Sequence, residues 1–227
     1  MRQQPDRILV FDVNETLLDI KVLTPFFAHN FGDADVVRQW FTETILYAQS
    51  LTLADQFVPF HELCIATLQM VAQTKHVTLS KEALEAFSLA MGSLPVHPEV
   101  PEALECLARE GFRMVTLSNS ALDASKAVLT QSGIMHYFER VFSVEQVGRY
   151  KPAPQTYEWV TQELGVVPSR LMLIAAHPWD TLGALAAGFA AALVTRPGSA
   201  PLGIGGEPDI VGPNLLEVAR KIISEAH

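Results

Sequence analysis

The chain has 227 residues, of which 49% are hydrophobic and 18% charged, a composition that predicts a packed core and excludes a disordered chain. Its 16 basic and 25 acidic residues give a net charge of −9, which argues against nucleic acid as a partner. Cys64 and Cys106 stand in no zinc-binding spacing and favour a reduced, cytoplasmic setting. Residues 1–7 lead straight into a predicted strand and no apolar run reaches membrane-spanning length, so we expect neither secretion nor membrane insertion.

Short apolar runs rich in β-branched residues predict the strands of a parallel sheet. They occupy residues 7–13, 112–117, 139–142, 171–176 and 190–194. None alternates with polar residues, as expected for strands that are buried on both faces. Helical patterns flank these runs: Pro101 suits a first helical turn, and Gly111, Gly133, Gly165 and Gly188 stand where C-terminal caps are needed. The alternation of strands and helices predicts an α/β fold.

Residues 17–94 carry helical periodicity without strand signals, which predicts an all-helical insertion after the first strand. The proline-rich segment 94–101 is a stiff junction that would return the chain to the sheet. We therefore predict a core domain of residues 1–16 and 95–227 and a helical domain of residues 17–94. Turn residues dominate segment 195–206, which predicts a surface loop.

Open α/β sheets bind ligands beyond the carboxyl ends of their strands. Four polar clusters stand at such places in the sequence. They comprise residues 12–16, 118–120, 151–152 and 177–180. Asp12 ends an apolar strand, where a carboxylate is costly unless it is paired or used in chemistry. The alternative is that Asp12 only caps a turn.

The other clusters also have structural alternatives. Ser118 and Asn119 could form a plain turn or helix N-cap, Lys151 could be solvated, and Asp180 could cap the helix that follows it. Tyr157 lies six residues after Lys151, nearly two helical turns, so both can approach one face, although Tyr157 could be purely structural.

Together these clusters, in this order, resemble the haloacid dehalogenase superfamily over essentially the whole chain. The resemblance implies a Rossmann-like α/β core with a parallel sheet and a helical C1-type cap, inserted after the first strand, that covers the site and selects substrate. It also implies that Asp12 is the nucleophile, with Ser118, Lys151 and Asp180 as the polar residues that accompany it.

Phosphatases of this superfamily resemble one another in an aspartate, two residues after the nucleophile, that acts as general acid and base. Asn14 stands there in this chain and cannot exchange a proton at neutral pH. Those enzymes also carry Gly-Asp before the last acidic residue to hold magnesium, whereas this chain has Ala175 and Ala176. With the phosphatase features missing, the set of polar residues resembles that of the type II L-2-haloacid dehalogenases. This resemblance implies that the protein needs no metal and no cofactor.

The polar active-site set of that branch corresponds to several residues of this chain, namely Thr16, Ser118, Asn119, Lys151, Tyr157 and Asp180. Phe60 and Trp179 resemble the apolar wall around the alkyl part of the substrate. The implied mechanism is displacement of halide from C2 by Asp12, followed by hydrolysis of the resulting ester. Lys151 would keep Asp12 ionised and Asp180 would activate water. Amide and hydroxyl donors, including the loop with Asn14, would hold the substrate carboxylate.

The chain departs from the branch at several positions. Glu15 replaces a glycine, and His177 and Ala175 replace an asparagine and a serine. A cap arginine of the family helps stabilise the departing halide. Arg38 is the only arginine in residues 17–94, but Phe41 falls at the required place if Tyr47 is matched to the family's helix.

His177 offers a physical substitute, because an imidazole N–H beside Trp179 could donate a hydrogen bond to halide. Its alternative is a packed residue at a helix start. We keep both Arg38 and His177 as substrate-binding candidates.

The leading hypothesis is therefore a metal-independent (S)-2-haloacid dehalogenase that acts on a small anionic substrate and forms a 2-hydroxy acid. A magnesium-dependent phosphatase acting on small phosphomonoesters and a catalytically silent homologue are the alternatives. Nothing in the sequence decides whether the chain forms a homodimer, which stays open.

Overall fold

The computed structural model describes residues 6–226; the predicted core domain's first five residues and His227 lie outside the described residues. One parallel six-stranded sheet of order β3-β2-β1-β4-β5-β6 forms in this part of the chain. The strands are β1 (Ile8–Phe11), β2 (Arg113–Ser118), β3 (Arg140–Ser143), β4 (Leu171–Ala175), β5 (Ala190–Val194) and β6 (Ile210–Gly212). The predicted α/β fold is thus confirmed.

The five apolar runs all form strands, whereas the sequence reading missed β6. This strand has three residues at the sheet edge and follows the turn-rich segment 195–206. At the centre, all four residues of β1 are buried, and Phe11 lies in register with Thr116 of β2 and Ile174 of β4. The backbone N–H of Asp12 donates to the Ile174 carbonyl at 3.0 Å, so Asp12 stands at the carboxyl end of the central strand.

Nine α-helices accompany the sheet within residues 6–226. They are α1 (Thr24–Phe31), α2 (Val36–Leu53), α3 (Phe60–Thr74), α4 (Lys81–Met91), α5 (Val100–Arg109), α6 (Leu122–Gln131), α7 (Pro154–Leu164), α8 (Pro178–Ala186) and α9 (Leu215–Glu225). Pro101 lies in the first turn of α5, and the four predicted cap glycines all have positive φ. No helix in this described part is both long and apolar enough to span a membrane.

Helices α1–α4 follow β1 and precede the rest of the sheet. Their apolar faces meet in an aromatic cluster of Phe27, Trp40 and Phe87, with ring centroids 5.0–6.1 Å apart. The chain leaves and returns side by side, because Asp19 N–H donates to the Pro95 carbonyl at 2.8 Å. The division into a core of 1–16 and 95–227 and a cap of 17–94 stays a prediction.

Candidate active site

The nucleophile candidate, Asp12, is almost completely buried, with 4% of its surface exposed. The Thr16 hydroxyl donates to Asp12 Oδ2 at 2.6 Å and accepts from the backbone N–H of Ala176 at 2.8 Å. This relay joins the loop after β1 to the end of β4. It holds one carboxylate oxygen in a defined direction.

The other oxygen of Asp12 is held by Lys151, whose side chain is fully buried. Its Nζ donates to Asp12 Oδ1 at 2.9 Å, to Asp180 Oδ2 at 2.5 Å and to the Leu117 carbonyl at 2.9 Å. An ammonium has three N–H donors, so all of them are used. Burial alone would lower the pKa of Lys151, but Asp12 and Asp180 hold it above its usual value. The alternative of a solvated lysine is therefore wrong.

Asp180 completes this buried cluster. The Tyr157 hydroxyl donates to Asp180 Oδ1 at 2.6 Å, and both side chains are fully buried. Burial raises the pKa of Asp180, although Lys151 opposes the rise, and burial with Asp180 nearby raises the pKa of Tyr157 well above its usual value. A Cβ at Gly183 would lie 2.6 Å from the Tyr157 hydroxyl oxygen, so glycine allows α8 to approach this closely.

Asp180 is not a helix N-cap. Helix α8 begins at Pro178 with His177 in the N-cap position, so Asp180 lies in the first turn. A carboxylate there is favoured by the positive end of the helix dipole. The N-cap alternative for Asp180 is therefore wrong, and the residue joins Lys151 and Tyr157.

The loops after β1 and β2 are tied together by short polar side chains. Asn14 Nδ2 donates to Ser120 Oγ at 3.0 Å, and Ser120 N–H donates to Ser118 Oγ at 3.0 Å. The side-chain Oδ1 of Asn119 accepts from the backbone N–H of Lys151 at 3.1 Å. These four side chains therefore position the loops on the β2 side of Asp12. Sequence reasoning assigned no role to Ser120, because a serine in a turn carries no distinctive signal.

His177 lies on the opposite, β4 side of Asp12. Its Nε2 is 3.2 Å from the Asn14 carbonyl and 3.7 Å from both Asp12 Oδ2 and Glu15 Oε2. A carbonyl only accepts, so Nε2 carries a proton. The ring stacks with Trp179 at 5.0 Å between centroids. His177 is thus packed, as one reading predicted, and also directed at the nucleophile.

Glu15 has a left-handed backbone with φ 61°, a conformation that costs most residues about 1 kcal/mol or more. This explains why the resembling family has glycine there. Burial raises the pKa of the Glu15 carboxyl, while the positive groups of His177 and Arg38 oppose the rise. The residue was noted only as a departure, yet it borders the site.

Arg38 and Phe60 contact residues other than Asp12. Arg38 is exposed and donates to the Pro197 carbonyl, and the α2 residue that reaches His177 is Phe41, with ring centroids 5.7 Å apart. Phe60 begins α3 and packs on Tyr150 at 6.0 Å between centroids. The structure therefore places Phe41, rather than Arg38, against the ring of His177.

A half-open cavity of about 330 Å³ opens beside His177. Its walls are α2, the start of α8 and residues 196–200. That segment belongs to the predicted surface loop and indeed has no helix or strand. It nevertheless contacts the site, because Ser199 Oγ donates to the Ala176 carbonyl at 2.8 Å and Arg196 donates to the Thr16 carbonyl at 2.8 Å. Turn-residue patterns gave no signal of this contact.

Known proteins resemble the chain over most of its length. It is 28% identical over 224 residues to (S)-2-haloacid dehalogenase 2 of Pseudomonas sp. (strain CBS-3), covering 95% of this chain and 98% of that protein. It is 26% identical over 216 residues to haloacetate dehalogenase H-2 of Moraxella sp. (strain B), covering 94% and 96%.

A solved L-2-haloacid dehalogenase from Xanthobacter autotrophicus superposes with a TM-score of 0.87 at 23% identity, covering 96% of this chain and 98% of that one. At this identity the likeness concerns the fold. The family model for haloacid dehalogenase-like hydrolases matches residues 7–188, which is most of the chain. The sheet order, the position of Asp12 and this match lead to one conclusion: the protein belongs to the haloacid dehalogenase-like hydrolase family.

Proposed function

We propose that the protein is a 2-haloacid dehalogenase that hydrolyses short (S)-2-haloalkanoic acids to 2-hydroxy acids. The observation that carries this proposal is the buried pairing of Asp12 with Lys151 at 2.9 Å, beside an asparagine at residue 14. The ammonium supplies the positive charge that faces the nucleophilic carboxylate. Asn14 cannot protonate a leaving group, and halide is a leaving group that needs no proton. The relatives named as dehalogenases support the same reaction.

In the first step a carboxylate oxygen of Asp12 attacks C2 of the substrate, and the carbon–halogen bond breaks with its electron pair leaving on the halide. An ester of Asp12 forms with inversion at C2. Thr16 and Lys151 hold the two oxygens of Asp12 at 2.6 and 2.9 Å, which keeps the carboxylate aimed before substrate arrives.

The substrate carboxylate binds on the β2 side of Asp12. The loops that carry Asn14, Ser118 and Asn119 end there, and their side chains already bond to neighbouring loop atoms. We therefore assign recognition to the backbone N–H groups of these loops, with the side chains keeping the loops in position. Such preorganised donors also stabilise the oxyanion in the second step.

In the second step water attacks the carbonyl carbon of the Asp12 ester, and Asp180 accepts the proton from that water. The raised pKa of Asp180 makes its carboxylate a stronger base than a solvent-exposed aspartate. Lys151 and Tyr157 hold the two oxygens of Asp180 in position. The ester C–O bond then breaks, the departing alkoxide takes the proton back from Asp180, and the 2-hydroxy acid and the free Asp12 carboxyl group are released.

The departing halide is assigned to the β4 side, where His177 lies 3.7 Å from Asp12 and stacks with half-buried Trp179. The Nε2–H of His177 would exchange its bond to the Asn14 carbonyl for one to the halide, and the indole would exclude water. Arg38, at the cavity rim, adds a more distant positive charge. Phe60 stays a candidate for the apolar wall, although its ring packs on Tyr150.

The magnesium-dependent phosphatase is less well supported. Lys151 Nζ already pairs with both Asp12 and Asp180, and the residues before His177 are the apolar pair Ala175 and Ala176. The silent homologue is disfavoured by the same cluster, since a buried ion triad is costly to keep without use. Metal independence, the cap role of α1–α4 and the cytoplasmic setting remain proposals; homodimer formation stays open.

The test is a halide-release assay with (S)-2-chloropropionate, run with and without EDTA. We expect turnover that EDTA leaves unchanged. Absence of halide release, together with magnesium-dependent hydrolysis of small phosphomonoesters, would contradict the proposal and favour the phosphatase.

A further inference from the structure

The cavity of about 330 Å³ lies on the side of Asp12 that the substrate carboxylate does not use. Strand β1 has β2 on one side and β4, then β5, on the other. The loops with Ser118 and Asn119 follow β2, whereas the cavity is lined by His177 after β4 and Ser199 after β5. A substrate held by its carboxylate on the β2 side therefore extends across Asp12 toward the cavity.

The cavity adjoins the reacting centre through two of its lining residues. Its lining includes Ala176, whose N–H donates to Thr16, and Thr16 in turn donates to Asp12. His177, also in the lining, is 3.7 Å from Asp12 Oδ2. A group attached to C2 would thus enter the cavity directly.

The size of the cavity exceeds what a halide and a methyl group need. A water molecule takes up about 30 Å³ in the liquid, so the volume is room for roughly ten groups of that size. It also falls at the lower end of the roughly 300–1,000 Å³ typical of small-molecule sites.

The walls of the cavity combine charged residues, namely Glu15, Arg38 and Arg196, with an apolar part. The rings of Phe41 and Trp179 both stack with His177, at interplanar angles of 28° and 15°, so the three rings lie nearly parallel. Ile20 and Ile45 add aliphatic surface. This apolar part gains free energy from burying an apolar group, and the rings favour a flat one.

We propose that this cavity is a subsite for the C2 substituent that extends the substrate range beyond short 2-haloalkanoic acids, and that the preferred substrates are 2-haloacids with a large apolar substituent, aromatic ones above all. The inference rests on the proposed function for the reaction itself. Each methylene buried in such a site raises kcat/KM about two- to fourfold. A phenyl group should therefore raise kcat/KM at least tenfold over a methyl-sized substituent.

The experiment compares (S)-2-chloropropionate with (S)-2-chloro-3-phenylpropionate in the wild type and two tryptophan variants of α2. Thr42 is exposed and lines the cavity, so Thr42→Trp fills it without disturbing the core. Leu46 is 52% exposed on the same helix and lies outside the lining, so Leu46→Trp is the matched control.

We expect a kcat/KM ratio of at least ten for the phenyl substrate over the methyl one. Thr42→Trp should reduce this ratio to about one, and Leu46→Trp should leave it unchanged. A wild-type ratio near one would overturn the inference. So would an unchanged ratio in Thr42→Trp with both substrates slowed, since the cavity would then be only an entrance.

A binding measurement separates this inference from the proposed function. If neither substrate releases halide, the dehalogenase proposal fails, and calorimetry with halogen-free 3-phenylpropionate and propionate still tests the cavity. Tighter binding of 3-phenylpropionate that is lost in Thr42→Trp supports the subsite. Equal binding of the two acids contradicts it.

Discussion

The two flanks of Asp12 are built differently. On one flank, Lys151, Asp180 and Tyr157 are fully buried. The Lys151 ammonium donates to the carboxylates of Asp12 and Asp180 at 2.9 and 2.5 Å, and the Tyr157 hydroxyl donates to Asp180 at 2.6 Å. On the other flank, His177 lies 3.7 Å from Asp12 and borders a half-open cavity.

This difference separates the chemistry that all substrates share from the part that selects among them. The Lys151 flank, defined by Lys151, Asp180 and Tyr157, orients a nucleophile and a base, and each polar atom there has a partner that limits its movement. The His177 flank, defined by Glu15, Phe41 and His177, contains three of the residues that depart from the resembling family. Variation in substrate preference is therefore expected on that flank.

The largest expected effect on turnover comes from removal of the nucleophile, Asp12, which lies between the two flanks. Asp12→Asn keeps the side-chain volume but removes the attacking oxygen, so turnover should fall by roughly four powers of ten or more. Halide release measures the loss, and intact-mass analysis excludes deamidation back to aspartate. Asp19→Asn, at a half-buried carboxylate near the same loop, is the control. Activity within tenfold of the wild type would refute the role of Asp12.

Removal of the shared cation should break the Lys151 flank itself. Lys151→Met leaves Asp12 and Asp180 buried without a counter-ion, which should lower the free energy of unfolding by about 3–5 kcal/mol at neutral pH. The unpaired carboxylates then take up protons more readily when folded, so the loss should shrink as pH falls. Urea unfolding between pH 5 and 8 measures both effects. Lys126→Met, at an exposed lysine of α6, should change little, and an equal loss there would sink this account.

On the His177 flank the expected effect is smaller and confined to one step. A hydrogen bond to a charged group contributes about 1.5–3 kcal/mol, so His177→Ala should slow ester formation by roughly one to two powers of ten. Ester hydrolysis, which depends on Asp180, should suffer less. Single-turnover kinetics on a chlorinated substrate separates the two steps. Equal losses in both, or none in the first, would make His177 only a packed loop residue.

The smallest effect concerns the stability of the loop after β1. Burial raises the pKa of Glu15, so the ionised carboxylate destabilises the folded state at neutral pH. Glu15→Gln should therefore raise the free energy of unfolding by a few tenths to about 1 kcal/mol at pH 8. The gain should disappear as pH falls through the pKa of folded Glu15, because the protonated carboxyl carries no such penalty. A pH-independent gain in thermal unfolding would contradict this reasoning.

The sequence predicted the Lys151 flank better than the His177 flank, for a physical reason. Asp12 and the strand before it form a local pattern, since a carboxylate at the end of a buried strand is costly unless it is used. Lys151 and Asp180 lie at helix starts that the strand order brings together. The partners of His177 depend instead on how α2 and residues 196–200 pack over the sheet, and no local pattern encodes that.

The same reason explains the individual errors. The packing of α2 places Phe41 against His177, whereas Arg38, which stays a substrate-binding candidate, donates to the Pro197 carbonyl. Strand β6 was missed because three residues at a sheet edge carry little periodicity. The glycine caps, by contrast, were predicted correctly because positive φ is a local requirement.

The central claim is that Asp12 becomes an ester during turnover, and isotope labelling tests it most directly. Excess enzyme is mixed with (S)-2-chloropropionate in oxygen-18 water for a single turnover, and the peptide containing Asp12 and the product are analysed by mass spectrometry. We predict that the label enters Asp12 and that the 2-hydroxy acid carries unlabelled oxygen at C2. Label in the hydroxyl group of the product, with none on Asp12, would mean that water attacks C2 directly and would contradict the account.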